Sequence, residues 1–175
     1  MARIFGIEIP NEKRIEASLP YIYGVGPSTA KRILEQAGVD SDIRTGQLTE
    51  EQLVKIAQVI TSEGILIEGD LRLKTSGLRL AGHVKGRIYC EKGSVIVEST
   101  GVVDGGIEAE GRVIVDGQVG HQNNIENTGA TRLIIRTPGL LAVLGNGKVY
   151  GNYHYGRIAC YDDATIEGMG RKVRG

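Results

Sequence analysis

The spacing of apolar residues changes from a helical period to a period of two near residue 60. Before that point, the apolar residues between Pro27 and Ala37 recur on one face of a helix. Gly26-Pro27 opens this segment, as proline does at a first helical position, and Gly38 closes it. The pattern therefore predicts a helix over residues 27–37.

Two further helices are predicted in the same part of the chain. One begins at Thr49, whose hydroxyl can cap the helix while Gln52 reaches back in a capping box. Its apolar face consists of Leu53, Ile56, Ala57 and Ile60. A shorter helix is predicted from Asn11 to Ser18. We therefore expect residues 1–62 to form a small all-α domain.

The second part of the chain, from about Gly64 onward, contains an internal repeat. Apolar pairs that bracket one residue start 17 and 18 residues apart: Leu78/Leu80, Val95/Val97 and Val113/Val115. A stack of coils explains a fixed period, because Val, Ile and Leu form interior ladders while glycine turns the corners. A β-sandwich is the rival architecture, but it predicts no such period. The repeat favours a mainly β protein, with a β-solenoid over residues 63–170.

Two stretches interrupt the repeat. Residues 120–125 and the segment from Pro138 to Gly147 each contain more residues than one unit of the repeat allows. Either these stretches are loops at the corners of the solenoid, or the predicted register fails there. The number of coils after Arg132 is therefore left open.

Composition narrows the class of protein. The 175 residues carry 21 Lys and Arg against 21 Asp and Glu, which argues against a general nucleic-acid or membrane-surface protein. The 26 glycines form no Gly-X-Y run, which excludes collagen. Cys90 and Cys160 are too few and too far apart for a disulfide framework or a zinc cluster. Because we find neither a signal peptide nor an apolar run long enough to cross a bilayer, we expect a cytoplasmic protein; membrane attachment stays open.

One N-terminal segment has the pattern of a helix-hairpin-helix. In Gly24-Val25-Gly26, the glycines allow a tight turn at the start of the predicted helix, where backbone N–H groups can bind a phosphate. Such a turn reads phosphate geometry rather than base identity. The alternative is an ordinary corner between two helices. The candidate RNA-binding residues are Lys13, Arg14, Gly24, Gly26, Thr29, Lys31 and Arg32.

Several short segments of the first 72 residues carry a more specific pattern. They read Ile9-Pro10-Asn11-Glu12-Lys13-Arg14, Ala30-Lys31-Arg32-Ile33-Leu34, Ala37-Gly38-Val39-Asp40 and Leu48-Thr49-Glu50-Glu51. With the glycine turn, they resemble the bacterial small-subunit ribosomal protein thirteen family over about residues 1–72. The resemblance implies binding to ribosomal RNA. That family continues with another helix and a long basic tail, for which this chain has only Arg171-Lys172-Val173-Arg174.

The repeat region carries a second resemblance. Its segments read Leu80-Ala81-Gly82-His83-Val84-Lys85-Gly86-Arg87-Ile88, Gly101-Val102-Val103-Asp104-Gly105-Gly106-Ile107 and Asp163-Ala164-Thr165-Ile166-Glu167-Gly168-Met169. Over about residues 65–170 they resemble the bactofilins, a bacterial cytoskeletal family. The resemblance implies a right-handed β-helix that polymerises end to end without nucleotide. Both resemblances share Ile67–Arg72, which suits a fusion point, natural or man-made.

No group of residues predicts an enzyme, a metal site or a cofactor site. His83, His121 and His154 lie far apart, without Cys or carboxylate partners at ligand spacing, and we expect His83 and His154 to face solvent. Asp162-Asp163 would point to opposite faces of a strand. Tyr153 and Tyr155 share one face, which is either a solenoid face or polymer contact, as we favour, or a surface that stacks on RNA. We expect Cys90 and Cys160 to lie in the core or at corners.

Two functions remain as predictions, neither with a small-molecule substrate. In the first, a structural protein assembles with copies of itself through its C-terminal coil, at Ile158, Ala164, Ile166 and Met169. In the second, a ribosomal component binds RNA through residues 1–60. That segment carries seven basic against eight acidic residues, so it is not basic by itself. The charge favours assembly over RNA binding. Residues 171–175 would form a short basic tail.

Overall fold

The N-terminal module consists of a hairpin followed by three helices. A computed structural model describes residues 2–22, 24–62, 65–74, 77–122 and 132–174. The elements of the module are β1 (Ala2–Ile4), β2 (Ile7–Ile9), α1 (Ile15–Ser18), α2 (Pro27–Ala37) and α3 (Glu50–Ile60). Short 3-10 turns over Leu19–Tyr21 and Thr45–Gln47 follow α1 and precede α3.

Two of the predicted helices are confirmed with their caps. Helix α2 begins at Pro27 behind the N-cap Gly26 and ends at Gly38, which has the left-handed conformation. The Thr49 hydroxyl accepts a hydrogen bond from the Gln52 backbone, and the Gln52 side chain accepts one from the Thr49 backbone. This is the predicted capping box.

The start of the module differs from the prediction of an all-α domain. Strands β1 and β2 pair antiparallel around Phe5 and Gly6, which both have positive φ and form the tight turn that suits a hairpin. The helix predicted from Asn11 is shorter and begins only at Ile15. Asn11 is held outside it, because its side chain accepts a hydrogen bond from the Ala2 backbone and its carbonyl accepts one from Gly46.

Residues after α3 form the predicted β-solenoid, in which every strand pairs in parallel with the strand one coil away. Its first face contains β3 (Leu66–Ile67), β6 (His83–Val84), β9 (Val102–Val103), β12 (Gln118–Val119), β14 (Lys148–Tyr150) and β16 (Thr165–Glu167). Its second face contains β4 (Leu71–Leu73), β7 (Arg87–Cys90), β10 (Gly106–Ala109) and β17 (Gly170–Lys172). Its third face contains β5 (Leu78–Leu80), β8 (Val95–Val97) and β11 (Val113–Val115).

Two long strands, β13 (Leu133–Val143) and β15 (Asn152–Cys160), run through the second and third faces and join them into one sheet. Within the described residues, the strands make five coils and part of a sixth. Arg171 and Lys172, assigned to a basic tail from the sequence, lie in β17 of this last coil.

The predicted period fixes the register of the coils. Leu78 pairs with Val95 and Val95 with Val113, and the ladder continues through Leu141 to Ile158. The first face has a matching ladder of Ile67, Val84, Val103, Val119, Val149 and Ile166. These ladders fill the interior, and only their last members are not buried.

The segment from Pro138 to Gly147 is not simply a loop. Its first half belongs to β13, so the predicted register failed there because the chain turns the corner within a strand. A register shift between Thr137 and Leu140 absorbs the extra residues. Of the other irregular stretch, residues 123–125 lie outside the described part of the chain.

The module covers the N-terminal end of the solenoid. The backbone N–H of Glu68 donates to the carbonyl of Gly24 at 3.3 Å, and that of Lys74 donates to Phe5 at 3.2 Å. Buried side chains of both parts form one continuous hydrophobic core that runs from Ile4 to Val149. The apolar interior of the first coil is therefore covered by residues of the same chain.

Candidate assembly surface

The C-terminal end of the solenoid is incomplete on its third face. Residues 157–160 of β15 pair on one side with residues 140–143 of β13. On the other side, β17 pairs only with Tyr153–Tyr155, and no described strand pairs with residues 157–160. Backbone donors and acceptors of a strand edge are therefore open to another strand. We call residues 157–174 the C-terminal edge.

Apolar side chains become exposed at this edge. In the earlier coils, the residues in register with Ile158 are buried, whereas Ile158 itself is 37% exposed. Tyr161 and Met169 are 60% and 74% exposed. Large apolar groups grouped on one surface mark interaction sites more often than single ones do. The end of the apolar ladder is thus in contact with solvent.

Two tyrosines lie on the interior side of the last coils. Tyr153 is in register with the buried residues Ile107 and Ile135, and its ring stacks on Tyr155 with centroids 5.9 Å apart. Both rings are partly buried and pack against the core, and burial raises the pKa of Tyr153. The two rings therefore belong to the interior side of the solenoid, and a part of theirs in a polymer contact or in stacking on RNA stays a prediction.

The four predicted assembly residues all lie in the C-terminal edge. Ile158 and Met169 are exposed, whereas Ala164 and Ile166 are partly buried and pack against the core. The same stretch of chain carries charged residues of both signs, namely Arg157, Asp162, Asp163, Glu167, Arg171 and Lys172. Their part in assembly stays a prediction.

The predicted RNA-binding turn lies at the junction of the module and the solenoid. Gly24 has a φ of +87°, and a Cβ at this position would lie 2.2 Å from Cγ2 of Ile67. Gly26, in contrast, has open space around its Cα. One glycine of the turn therefore packs on the first coil, and the other is accessible at the start of α2.

The basic residues near this turn mostly have acidic or aromatic partners. Arg14 forms an ion pair of 2.8 Å with Asp42, and Lys31 lies 3.6 Å from Glu16. Lys13 donates to the Tyr21 hydroxyl and lies over its ring. Thr29 and Arg32 lie on α2, where Thr29 is half-buried and Arg32 exposed. Exposed pairs of this kind are weak and can exchange for other partners.

A basic cleft of about 980 Å³ lies beside the last coils on the second face. Its lining includes the cationic side chains of Arg136, Arg171, Lys172 and Arg174 together with His154. The sequence drew attention to His154 and to the residues from Arg171 onward but did not connect them. They lie together with Arg136 because the register of β13, β15 and β17 stacks Arg136, His154 and Arg171 on neighbouring strands. The continuous β13 strand, which the repeat did not predict, sets this register.

The histidines differ from the prediction that they lack carboxylate partners. His83 Nε2 lies 2.9 Å from Oδ2 of Asp104, and His121 Nε2 lies 2.7 Å from Oδ1 of the same side chain. The coils bring these residues together because positions about one repeat apart become neighbours. His83 is half-buried and His154 lines the basic cleft. No cluster of the described residues could hold a metal ion.

The expectation that both cysteines lie in the core or at corners is confirmed for Cys90 and wrong for Cys160, because the last coil leaves the end of its strand exposed. Cys90 is buried in β7, and Cys160 lies at the exposed end of β15. Burial raises the pKa of both thiols, so neither has the lowered pKa of a reactive thiolate. None of the helices among the described residues is long and apolar enough to cross a membrane.

The fold is a parallel β-solenoid with a helical module at its N-terminal end, and its last long strand has an edge at residues 157–160 with which no described strand pairs. The family model described as polymer-forming cytoskeletal, the bactofilins, matches residues 59–171. The chain therefore belongs to the bactofilin family.

The N-terminal module matches a second family, described as ribosomal protein S13/S18, over residues 3–71. The small ribosomal subunit protein uS13 of Akkermansia muciniphila is 82% identical to this chain over 72 residues. The match covers 41% of this chain and 58% of the relative, so the chain spans little more than half of that protein. Residues 59–71 fit both family models, which confirms the predicted fusion of two families at this point.

Proposed function

We propose that this chain is a non-enzymatic structural protein that assembles with copies of itself through the C-terminal edge, as a unit of filaments or scaffolds. The observation that carries the proposal is the edge at residues 157–160, where no described strand pairs on the outer side and Ile158 of the apolar ladder is exposed. Membership of a polymer-forming cytoskeletal family supports it. We propose that assembly needs no nucleotide and takes place in the cytoplasm.

The chemistry of the edge suits strand addition. Backbone N–H and C=O groups of residues 157–160 can pair with an edge strand of another copy, which gives affinity through main-chain hydrogen bonds. The exposed parts of Ile158, Tyr161 and Met169 would be buried in the same contact. Full burial of one such side chain contributes roughly 1.5–3 kcal/mol, so even partial burial of several adds measurably to affinity.

The proposal is tested by placing charge at the edge. We expect Met169→Lys combined with Tyr161→Lys to abolish assembly, because each ammonium would lose its hydration in the contact and would replace an apolar group that the contact buries. Both side chains are more than half exposed, so the fold should not change. Analytical ultracentrifugation and electron microscopy measure the assembly.

Val54→Lys is the matched control for this experiment. Val54 is an apolar residue of α3 that is 54% exposed and lies in the module rather than at the edge. This control should assemble as the unchanged chain does. Assembly by the edge variant at the level of the control would contradict the proposal.

A second candidate function is binding to ribosomal RNA through the module. The observation that favours it is the 82% identity with a small-subunit protein over 72 residues. We expect Lys31→Ala with Arg32→Ala to reduce co-sedimentation with small ribosomal subunits in a salt-dependent way, because phosphate contacts release counterions. Lys92→Ala with Arg112→Ala, two exposed basic residues of the solenoid, is the control. Equal sedimentation of both variants would argue against this function.

A further inference from the structure

We propose that the basic cleft binds a small molecule that carries a diphosphate group. The cleft lies on the second face of the solenoid, whereas the unpaired edge at residues 157–160 lies on the third face. The proposal concerns a ligand rather than a second copy of the chain, so it does not depend on the proposed assembly.

The register of three strands brings the cationic groups of the cleft together. Arg136 of β13 pairs with His154 of β15, and His154 pairs with Arg171 of β17. Residues in register on neighbouring strands point to the same side of a sheet and lie about 4.8 Å apart. Arg136, His154 and Arg171 therefore form one row about 10 Å long. Lys172 and Arg174 add two further cations to the lining of the cleft.

In earlier coils of the solenoid, outward-facing cations have carboxylate partners one coil away. Arg79 pairs with Glu98 at 2.6 Å, and Lys85 pairs with Glu68 at 2.8 Å. Opposite charges on neighbouring strands stabilise a sheet, whereas like charges in register destabilise it. A row of cations without such partners therefore gains stability from an anion that comes from outside the chain.

The cations of the basic cleft are not neutralised in this way. Among the described residues, Arg171, Lys172 and Arg174 form no ion pair, and no carboxylate lines the cleft. Arg136 lies 3.4 Å from Glu108, and the two side chains are 57% and 42% exposed. An exposed pair at this distance is weak, so Arg136 can exchange Glu108 for a stronger anion. The cleft therefore suits a ligand with several negative charges.

The side chains of the cleft fit a diphosphate in particular. A guanidinium forms two parallel hydrogen bonds to one phosphate, and the imidazole of His154 can donate a further bond. Two linked phosphates can bind the arginines on both sides of His154 at once. The cleft has the volume of a small-molecule site, about 980 Å³, and Leu133 and Val173 line it with apolar groups. A concave site of this kind fits a small molecule better than the surface of a membrane.

Isothermal titration calorimetry of the full chain with inorganic diphosphate tests the proposal. We expect saturable binding of one diphosphate per chain and weaker binding of inorganic phosphate. Arg136→Gln combined with Arg171→Gln should weaken the binding of diphosphate about tenfold or more, because charge-assisted hydrogen bonds on both sides of His154 are lost. Both side chains are exposed, so the fold should not change, and circular dichroism checks this.

Lys92→Gln combined with Arg112→Gln is the matched control. Both residues are exposed on the solenoid, outside the lining of the cleft, and the control removes the same number of positive charges. This variant should bind diphosphate as the unchanged chain does. Equal weakening in the two variants would overturn the proposal, because binding would then depend on the overall charge of the chain.

The unchanged chain gives a second test that needs no variant. Equal affinities for phosphate and diphosphate, or no binding of diphosphate, would overturn the proposal. Vesicles of phosphatidylglycerol and a single-stranded RNA serve as further probes, and binding of either one without diphosphate would assign the cleft to a membrane or to a nucleic acid instead. Sedimentation measures assembly separately, so failure of the proposed function can be distinguished from failure of this inference.

Discussion

At the scale of single residues, Gly24 is a position where the two parts of the chain are in close contact. Its φ of +87° is a conformation that residues with a side chain rarely adopt, and its Cα faces the first coil. The sequence marked this glycine for a turn that could bind phosphate. The structure gives the same residue a packing role at the junction, which a single sequence cannot distinguish from the first.

Substitution of this glycine should destabilise the whole protein. A Cβ on Gly24 would lie 2.2 Å from Ile67 Cγ2, so Gly24→Ala combines backbone strain with a steric clash. We expect a loss of more than about 2 kcal/mol in the free energy of unfolding, as measured by chemical denaturation.

Gly26→Ala is the comparison, because no atom lies within 4 Å of a Cβ at that position. Its expected loss is about 1 kcal/mol or less, from the poorer N-cap. Equal losses for the two variants would show that Gly24 does not hold the module on the first coil.

At the scale of elements, the period of the repeat predicted the solenoid and its register because each coil has the same three short strands. The prediction succeeded for the first three coils, where glycines lie at the corners and the apolar pairs of successive coils are in register. It failed at β13, because Pro138 and Gly139 have the composition of a loop but lie within a strand. Thr137 makes this possible, since its hydroxyl accepts a hydrogen bond from Gly139 across the register shift.

The candidate site was predicted only in part for the same reason. The repeat alone was enough to predict that Ile158 and Met169 lie in the last coil, because the last apolar positions of a solenoid have no further coil to pack against. The open edge at residues 157–160 depends on where β17 stops pairing with β15. The basic cleft depends on the register of β13, and the contacts of Asp104 with two histidines depend on the spacing of coils. Such contacts arise from tertiary structure and leave no local pattern.

The ladder predicts how individual core residues contribute to the solenoid. Ile107 is fully buried in β10, so Ile107→Ala should cost about 2–5 kcal/mol in the free energy of unfolding through lost burial and a cavity. Ile114 is in β11 of the same coil but is only partly buried. Ile114→Ala should therefore cost clearly less in the same urea titration. A larger effect at Ile114 would contradict the assignment of interior and exterior positions.

At the scale of the whole molecule, two family segments share one core. Buried residues of the hairpin and helices are continuous with those of the coils, although each segment matches a different family. We propose the boundaries 1–62 for the module and 63–170 for the solenoid, in keeping with the end of α3 at Ile60 and the start of β3 at Leu66. These boundaries divide the segments that match the two families, but they do not divide the hydrophobic core, which is continuous across them.

A shared core predicts cooperative unfolding. In scanning calorimetry, module and solenoid should unfold in one transition, because loss of either part exposes buried side chains of the other. Far-ultraviolet circular dichroism follows helix and strand at different wavelengths. The two signals should give the same midpoint temperature of unfolding. Two separated transitions would show that each segment is stable alone.

The covered N-terminal end also sets an order for folding during synthesis. The module leaves the ribosome before any coil, and domains generally fold from the N-terminus as they emerge. Each of the first coils then needs only the one before it, 17 or 18 residues earlier, and such short separations favour fast folding. We expect each newly synthesised coil to fold onto the folded module and the coils before it. At every stage of synthesis, the most recently folded coil therefore has the exposed edge.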